Sequence, residues 1–260
     1  MIPKVSIIMT AYNAAETIEK AVNSILAQQH TNFECIIIND NSSDNTLDIL
    51  KKFKKKDQRI RVITSSENYG TYVCKNYGMK VSTGDYFLFH DSDDYCSPKY
   101  IIGALYPLKI HSDLKVSYSG VSFVNAHSSK HLKISYQSSC FSREVFNEVG
   151  YFDSVRFSAD NELRLRFFAY YGICKVFENI DFKFYFRTIK SDSLTTRSDS
   201  LLNGLERDHY KERIKDFHDL IRKKAISPYI SFPLQDRPFD LDDESIKIGK
   251  EINLKSFKEI

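Results

Sequence analysis

Short apolar runs alternate with amphipathic stretches through the first hundred residues. Val5 to Met9 is continuously apolar, as expected of a strand covered on both faces. From Glu16 to Gln28, the residues Ile18, Ala21, Val22, Ile25 and Leu26 recur at helical spacing. Phe33 to Ile38 is a second buried strand, ending at Asn39-Asp40. Asn41 to Asp44 then offers turn and N-cap chemistry before a helix over Thr46 to Phe53, with Leu47, Leu50 and Phe53 on one side. Ile60 to Ile63 predicts a third strand, Tyr72 to Met79 a helix after the Asn68-Tyr69-Gly70 turn, and Tyr86 to Phe89 a fourth strand.

This alternation predicts an α/β fold, a mostly parallel central sheet with helices on both faces. Ligands of such open sheets bind outside the carboxyl ends of the strands. Three polar clusters fall at those ends: Thr10-Ala11-Tyr12-Asn13, Asn39-Asp40, and Asp91-Ser92-Asp93-Asp94. They are expected to converge on one crevice. The last cluster follows a buried run directly, and unpartnered carboxylates are costly to bury, so it belongs at a cleft. Clustered Asp oxygens suit Mg²⁺ or Mn²⁺, which commonly bind through one or two carboxylates plus substrate phosphates.

Beyond residue 110 the pattern is less regular. Val116 to Val124 predicts a strand, and Cys140 to Phe146 and Asn161 to Tyr171 predict short helices, the second stopped by Gly172. Ser191 to Ser200 is polar and predicts a mobile loop. Leu201 to Ala225 is charged and helical in pattern; Ser227 to Asp243, with Pro228, Pro233 and Pro238, predicts an extended segment packed on the core. Its aromatics Tyr229, Phe232 and Phe239 are expected to pack there too.

Composition narrows the class. The chain has 260 residues and a net charge of only +3, so bulk electrostatics favour no polyanionic partner. The basic run Lys51-Lys52, Lys54 to Lys56 falls at helical spacing with Leu47, Leu50 and Phe53, which marks a solvated helix face rather than a nucleic-acid site. That run, and Arg222-Lys223-Lys224, could draw the protein to an anionic membrane. Five scattered cysteines without a Cys-x-x-Cys pair indicate neither a disulfide framework nor a zinc site. With no signal-peptide pattern and no apolar stretch near roughly 20 residues, the chain is expected to be soluble and cytoplasmic, or peripheral on the inner face of the membrane.

Four motifs in order resemble family 2 glycosyltransferases of the GT-A fold over about residues 4 to 110. They are Val5 to Asn13, Ile38 to Asp44, Asn68-Tyr69-Gly70 with Lys75-Asn76-Tyr77-Gly78, and Asp91 to Asp94. A further stretch, Phe141 to Phe146, Gly150 to Asp153 and Asp160 to Leu163, resembles the family's acceptor-side segment. The resemblance implies a GT-A domain over residues 1–187, its nucleotide-sugar half about 1–110 and acceptor half about 111–187. Residues 188–260 would form the mobile loop and a helical or extended appendage.

It also implies inverting transfer of a sugar from a nucleotide sugar, with UDP the expected nucleotide, to an acceptor hydroxyl of a surface glycan or lipid-linked oligosaccharide. Thr10, Ala11, Tyr12, Asn13, Asn68, Gly70 and Ser92 would line the nucleotide pocket. Asp40 would hold the base or, alternatively, form an Asx-turn opening the next helix. Asp91 would meet the ribose or the metal, and Asp93 the Mn²⁺ or Mg²⁺ itself. Asp94 would either position the acceptor or brace its loop. Lys75 stands where the family often has Arg; it would screen phosphate, pair with Asp40, or be a surface charge. Asp160 aligns with the second acid of the family's Glu-Asp pair, whose first position is Ala159 here. It is the candidate general base, Glu162 is the fallback, and an ordinary N-cap is the plainer role for Asp160. Arg187, Lys190 and Arg197 would meet the diphosphate if the polar loop closes as a lid. A silent nucleotide-sugar-binding module, a sugar nucleotidyltransferase, and one module of a larger synthase are the competing expectations.

Overall fold

A computed structural model describes residues 2–124, 133–188, 200–239 and 251–260. Its elements run β1 (Val5–Ala11), α1 (Ile18–Leu26), β2 (Phe33–Asn39), α2 (Thr46–Lys56), β3 (Ile60–Ser65), α3 (Thr71–Val81), β4 (Tyr86–Asp91), β5 (Tyr95–Cys96) and α4 (Tyr100–Ile110). They continue as β6 (Val116–Val124), β7 (Lys133–Ser142), α5 (Arg143–Val149), α6 (Ala159–Tyr171), β8 (Val176–Thr188), α7 (Ser200–Arg222) and β9 (Phe257–Glu259). Lys190, Arg197 and the rest of the expected lid over 191–199 lie outside the described residues.

Among the described residues the strands form one sheet, ordered β5-β8-β6-β7-β4-β1-β2-β3-β9. Its centre is parallel, with β1 between β4 and β2 and β3 beyond. β7, β9 and β5 are antiparallel to their neighbours β4, β3 and β8. The apolar runs explain the layering, because alternate residues of a strand face opposite ways. Val5, Ile7, Met9, Cys35 and Ile37 pack with α1, α2 and α4, whereas Ile8, Ile36 and Ile38 pack with α3, α5 and α6. Gly78 lets α3 lie close on the sheet: a Cβ there would meet Ile8 Cγ2 at 2.6 Å and Ile38 Cδ1 at 2.9 Å.

Two expectations need correction. Cys140 to Phe146 is not one helix. Cys140 and Phe141 pair with Ser117 and Val116 of β6, and the helix starts at Arg143, where the Ser142 hydroxyl accepts the Val145 amide at 3.3 Å. Tyr229 does not pack on the core; it is 44% exposed, while Phe232 is buried.

The described C-terminal residues pack on the same core and sheet. α7 buries Ile214, Phe217 and Ile221, and Ile230 bridges Gly150. β9 extends the sheet edge, and Phe257 stacks on Tyr77 with ring centroids 4.1 Å apart.

Glu34 knots the opposite, N-terminal end of the sheet. It accepts Ser6 Oγ at 2.7 Å, the Thr83 amide at 2.7 Å and Arg61 Nη1 at 2.9 Å. Burial alone would raise its carboxyl, but these donors hold it at about 2 instead of 4.5. Its folded value is depressed, so its stabilisation is complete above pH 4.5 and is lost as pH falls toward about 2. Acid unfolding followed by circular dichroism should therefore steepen across that window, and Glu34→Gln should flatten it. An unchanged acid profile in the variant would refute the assignment.

Candidate functional site

The parallel centre brings the ends of β1, β2 and β4 side by side. Thr10 is the register partner of Asp91, and Ala11 of Asn39. The Asp40 amide donates to Ala11 O at 2.8 Å, placing Asp40 at the mouth of the same crevice.

The first half of α3 and the turn before it reach all of these strand ends. The Asp40 carboxylate accepts the Tyr69 amide on Oδ1 and the Gly70 amide on Oδ2, each at 2.8 Å. Asn68 Nδ2 donates to Asp40 O at 3.2 Å. Gly70 permits this turn because its φ is +89°, while open space surrounds it; conformation, not crowding, demands glycine. Thr71 and Thr10 share a hydroxyl hydrogen bond of 2.9 Å. Lys75 is buried and its Nζ meets Asp91 Oδ1 at 3.1 Å. The Tyr72 hydroxyl donates to Asp160 Oδ1 at 2.8 Å.

These contacts settle several alternatives. Lys75 is no surface charge, and its ion-pair partner is Asp91 rather than Asp40, whose carboxylate binds backbone amides. Asp40 does not open the next helix: Asp44 does, accepting the Thr46 amide at 3.0 Å and the Ala15 amide at 3.0 Å. Asn13, with φ +47°, accepts the Ser43 amide at 2.9 Å and ties the loop after β1 to the loop after β2. Ala11 directs its side chain into the core, whereas Tyr12 is 54% exposed at the crevice.

The acidic turn is split by environment. Burial works to raise the Asp91 carboxyl, but Lys75, aided by Arg187, holds it below the ordinary value. Asp94 is buried and pushed up to about 7 by burial and by Asp91 and Asp93. It braces rather than faces the crevice, since Oδ1 accepts the Thr188 amide at the end of β8, 2.9 Å away. His90 is fully buried and lowered to about 4 by burial, so its ring is neutral. Tyr185 of β8 accepts the Asp91 amide at 3.0 Å. Asp93 and Ser92 remain partly exposed.

Among the described residues, no cluster of three or more His, Cys, Asp or Glu side chains could hold a metal. The carboxylates of Asp91 and Asp93 are hard oxygen donors of the kind Mg²⁺ and Mn²⁺ take, and such ions commonly bind through one or two carboxylates plus substrate phosphates. Lys75 already shares Asp91 Oδ1, so a cation there would compete with its ammonium.

On the α6 side, Asp160 sits in the first helical turn, one residue beyond the first helical position; Ser158 is the residue before the helix, so Asp160 is not its N-cap. Ala159, the first position of the pair, is fully buried in the core. Glu162 is turned away from the crevice. It is fully buried, with Oε2 accepting Arg166 Nη2 at 2.9 Å and Oε1 facing His218 Nε2 at 3.1 Å. Tyr72 and Tyr185 were not singled out by the sequence. Tyr72 could have been found, because it lies one helical turn before Lys75; nothing local marks Tyr185.

Comparisons with known proteins bear on the family and the fold. The family model described as Glycosyl transferase family 2 matches residues 6–164. TuaG of Bacillus subtilis (strain 168), whose name assigns it provisionally to teichuronic acid biosynthesis as a glycosyltransferase, is 45% identical over 92 residues, covering 35% of this chain and 36% of its own length. WfaP of Escherichia coli, a UDP-Glc:α-D-GlcNAc-diphosphoundecaprenol β-1,3-glucosyltransferase, is 44% identical over 91 residues, 35% of this chain and 36% of its own. This chain thus matches about a third of the length of either relative. The crystal structure of residues 1–349 of S. aureus TarS with UDP is similar at a TM-score of 0.62 and 21% identity, covering 72% of this chain and 61% of that one. The mannosyltransferase PcManGT of Pyrobaculum calidifontis, with GDP-Man and Mn²⁺, has a TM-score of 0.60 and 17% identity, covering 74% and 59%. The fold is that of these GT-A structures: a mixed α/β domain around a mostly parallel sheet. Among the described residues no helix is long and apolar enough to cross a membrane.

Proposed function

The chain belongs to glycosyl transferase family 2, and from that premise we propose that it transfers a sugar, with inversion, from a nucleoside-diphosphate donor to a hydroxyl of a glycan or lipid-linked acceptor. One observation carries the reading: Thr10, Asp40, Asp91 and Asp160 are all bonded to the turn and first half of α3, at the mouth where the strands end. UDP is the proposed donor nucleotide, supported by its presence in the similar TarS structure and in the activity named for WfaP.

In this reading Asp40 and the exposed Tyr12 flank the base, and Asp91 and Asp93 face the ribose and diphosphate. Bound Mn²⁺ or Mg²⁺ would neutralise charge developing on the diphosphate as it leaves. Lys75 balances Asp91 so that the turn does not repel the donor. Asp160 comes from a different element than the strand-end carboxylates. It accepts the acceptor's proton on the face opposite the leaving group, as inversion requires. Its place in the first turn of α6 puts it at the positive end of the helix dipole. If the acceptor is lipid-linked, the exposed Lys51, Lys52, Lys55 and Lys56 and Arg222 to Lys224 supply attraction to an anionic leaflet.

The test is a thermal-shift panel of UDP, GDP, CDP and dTDP, each with and without Mn²⁺, on the wild type and on Asp93→Asn. Selective binding to the folded state at 100 times Kd stabilises by about 2.7 kcal/mol. The expected result is a rise of several degrees with UDP that needs Mn²⁺ and disappears in the variant. A rise with another nucleotide alone would displace UDP. No rise with any of them would remove the donor site from the reading.

A further inference from the structure

Tyr72 is the polar link between the strand-end crevice and the candidate base. It sits on α3, one turn before Lys75, and its ring packs against Phe152 with centroids 5.6 Å apart. The residue is 7% exposed, and its hydroxyl ends on Asp160 Oδ1 at 2.8 Å. Lys75 Nζ lies 5.9 Å from the centre of the same ring while holding Asp91. One face of α3 therefore touches Asp91 through Lys75 and Asp160 through Tyr72. The preceding turn touches Asp40.

We propose that Tyr72 is a positioning residue, fixing the Asp160 carboxylate relative to the donor site so that one Asp160 oxygen is aimed at the acceptor hydroxyl. This rests on the reading of Asp160 as the base. In this proposal Oδ1 accepts from Tyr72 and Oδ2 takes the acceptor's proton. Burial and then the Asp160 charge push the phenol well above its ordinary value, so it stays a donor throughout. A carboxylate on a rotatable χ2 gains most from such a tether, because small misplacements of a reacting group cost large factors in rate. The same tether makes base placement depend on where α3 sits, and α3 is itself held by the residues that would contact the nucleotide.

The experiment compares wild type, Tyr72→Phe, Asp160→Asn and the double variant. It measures UDP release from UDP-glucose and UDP-N-acetylglucosamine with Mn²⁺, and UDP affinity by calorimetry. Tyr72→Phe keeps the ring and its packing, so melting temperatures are compared to confirm folding. Expected is a kcat lowered about 10- to 100-fold with KM and UDP affinity unchanged. The double variant should be no slower than Asp160→Asn alone, because the tether has nothing left to aim. Wild-type kcat in Tyr72→Phe, equal losses in kcat and UDP affinity, or multiplicative losses in the double variant would each overturn the proposal. If instead Asp160→Asn turns over at the wild-type rate, the base assignment fails and the positioning role falls with it. Unaltered UDP binding in that case would leave the donor-site reading standing.

Discussion

Replacing Arg166 with methionine is expected to destabilise the fold by about 3–5 kcal/mol, the cost of leaving a buried charge without its partner. Arg166 is fully buried on α6. Its Nη1 donates to Val149 O at 2.8 Å and Pro228 O at 3.2 Å, and its Nη2 to Tyr151 O at 2.7 Å and Glu162 Oε2 at 2.9 Å. Methionine fills much of the volume but supplies none of these donors. All three carbonyls and the carboxylate would lose a donor, Val149 O keeping the Ile230 amide at 3.2 Å and the acid keeping only His218. Typical domains have a total stability of about 5–15 kcal/mol, so this one change removes a large share. Urea titration should show the midpoint falling with little change in slope. Adding Glu162→Met should recover part of the loss, since it removes the stranded charge and the two sites are in contact. A midpoint within error of wild type would show that the network carries little stability.

The same network explains why only one of the two candidate acids on α6 reaches the crevice. Asp160 and Glu162 are two residues apart, so on a helix they point about 200° apart. One can face the crevice only if the other faces the opposite way. Sequence marks both as acids near a helix start, but the partner that captures Glu162 is His218, on α7 and far along the chain. The strand ends are readable for the opposite reason. Val5 to Met9 and Phe33 to Ile38 are short, continuous and apolar, so local pattern places their C-termini, and hence Thr10 and Asp40. Lys75 is readable as important but not as to partner. Its choice of Asp91 over Asp40 depends on backbone amides at Tyr69 and Gly70 saturating Asp40 first.

Departures elsewhere from the local pattern share a cause in packing. Phe141, Val145 and Phe146 are all buried and mimic helical spacing, yet Phe141 belongs to β7, where Phe87 and Val116 pair with it from both sides. α4 carries buried Ile101, Ala104, Leu105 and Leu108 at good helical spacing. Pro107 lies inside it and reads locally as a stop, which hides the helix. β9 is three residues long and exists because β3 offers an edge and Phe257 finds Tyr69 and Tyr77. Nothing in so short a segment announces that.

Replacing Asp160 with asparagine should lower turnover by about 10²- to 10⁴-fold, the usual range for loss of a positioned general base. The substituted amide is nearly isosteric and its oxygen can still accept from Tyr72, so folding and UDP affinity should hold. Measured as UDP release with the acceptor hydroxyl or water taking the sugar, the loss should fall on kcat rather than KM. Glu162→Gln makes the discriminating control. It changes an acid on the same helix turn, but one sealed between Arg166 and His218, so its expected effect is on unfolding and not on the chemical step. If the two variants lost turnover equally, the orientation of α6 drawn from these contacts would be inadequate. If Asp160→Asn kept full turnover while Glu162→Gln lost it, the base would have to be sought beyond this helix face. The geometry predicts a clean separation, because the helix that presents one carboxylate to the crevice must, by its own periodicity, bury the other.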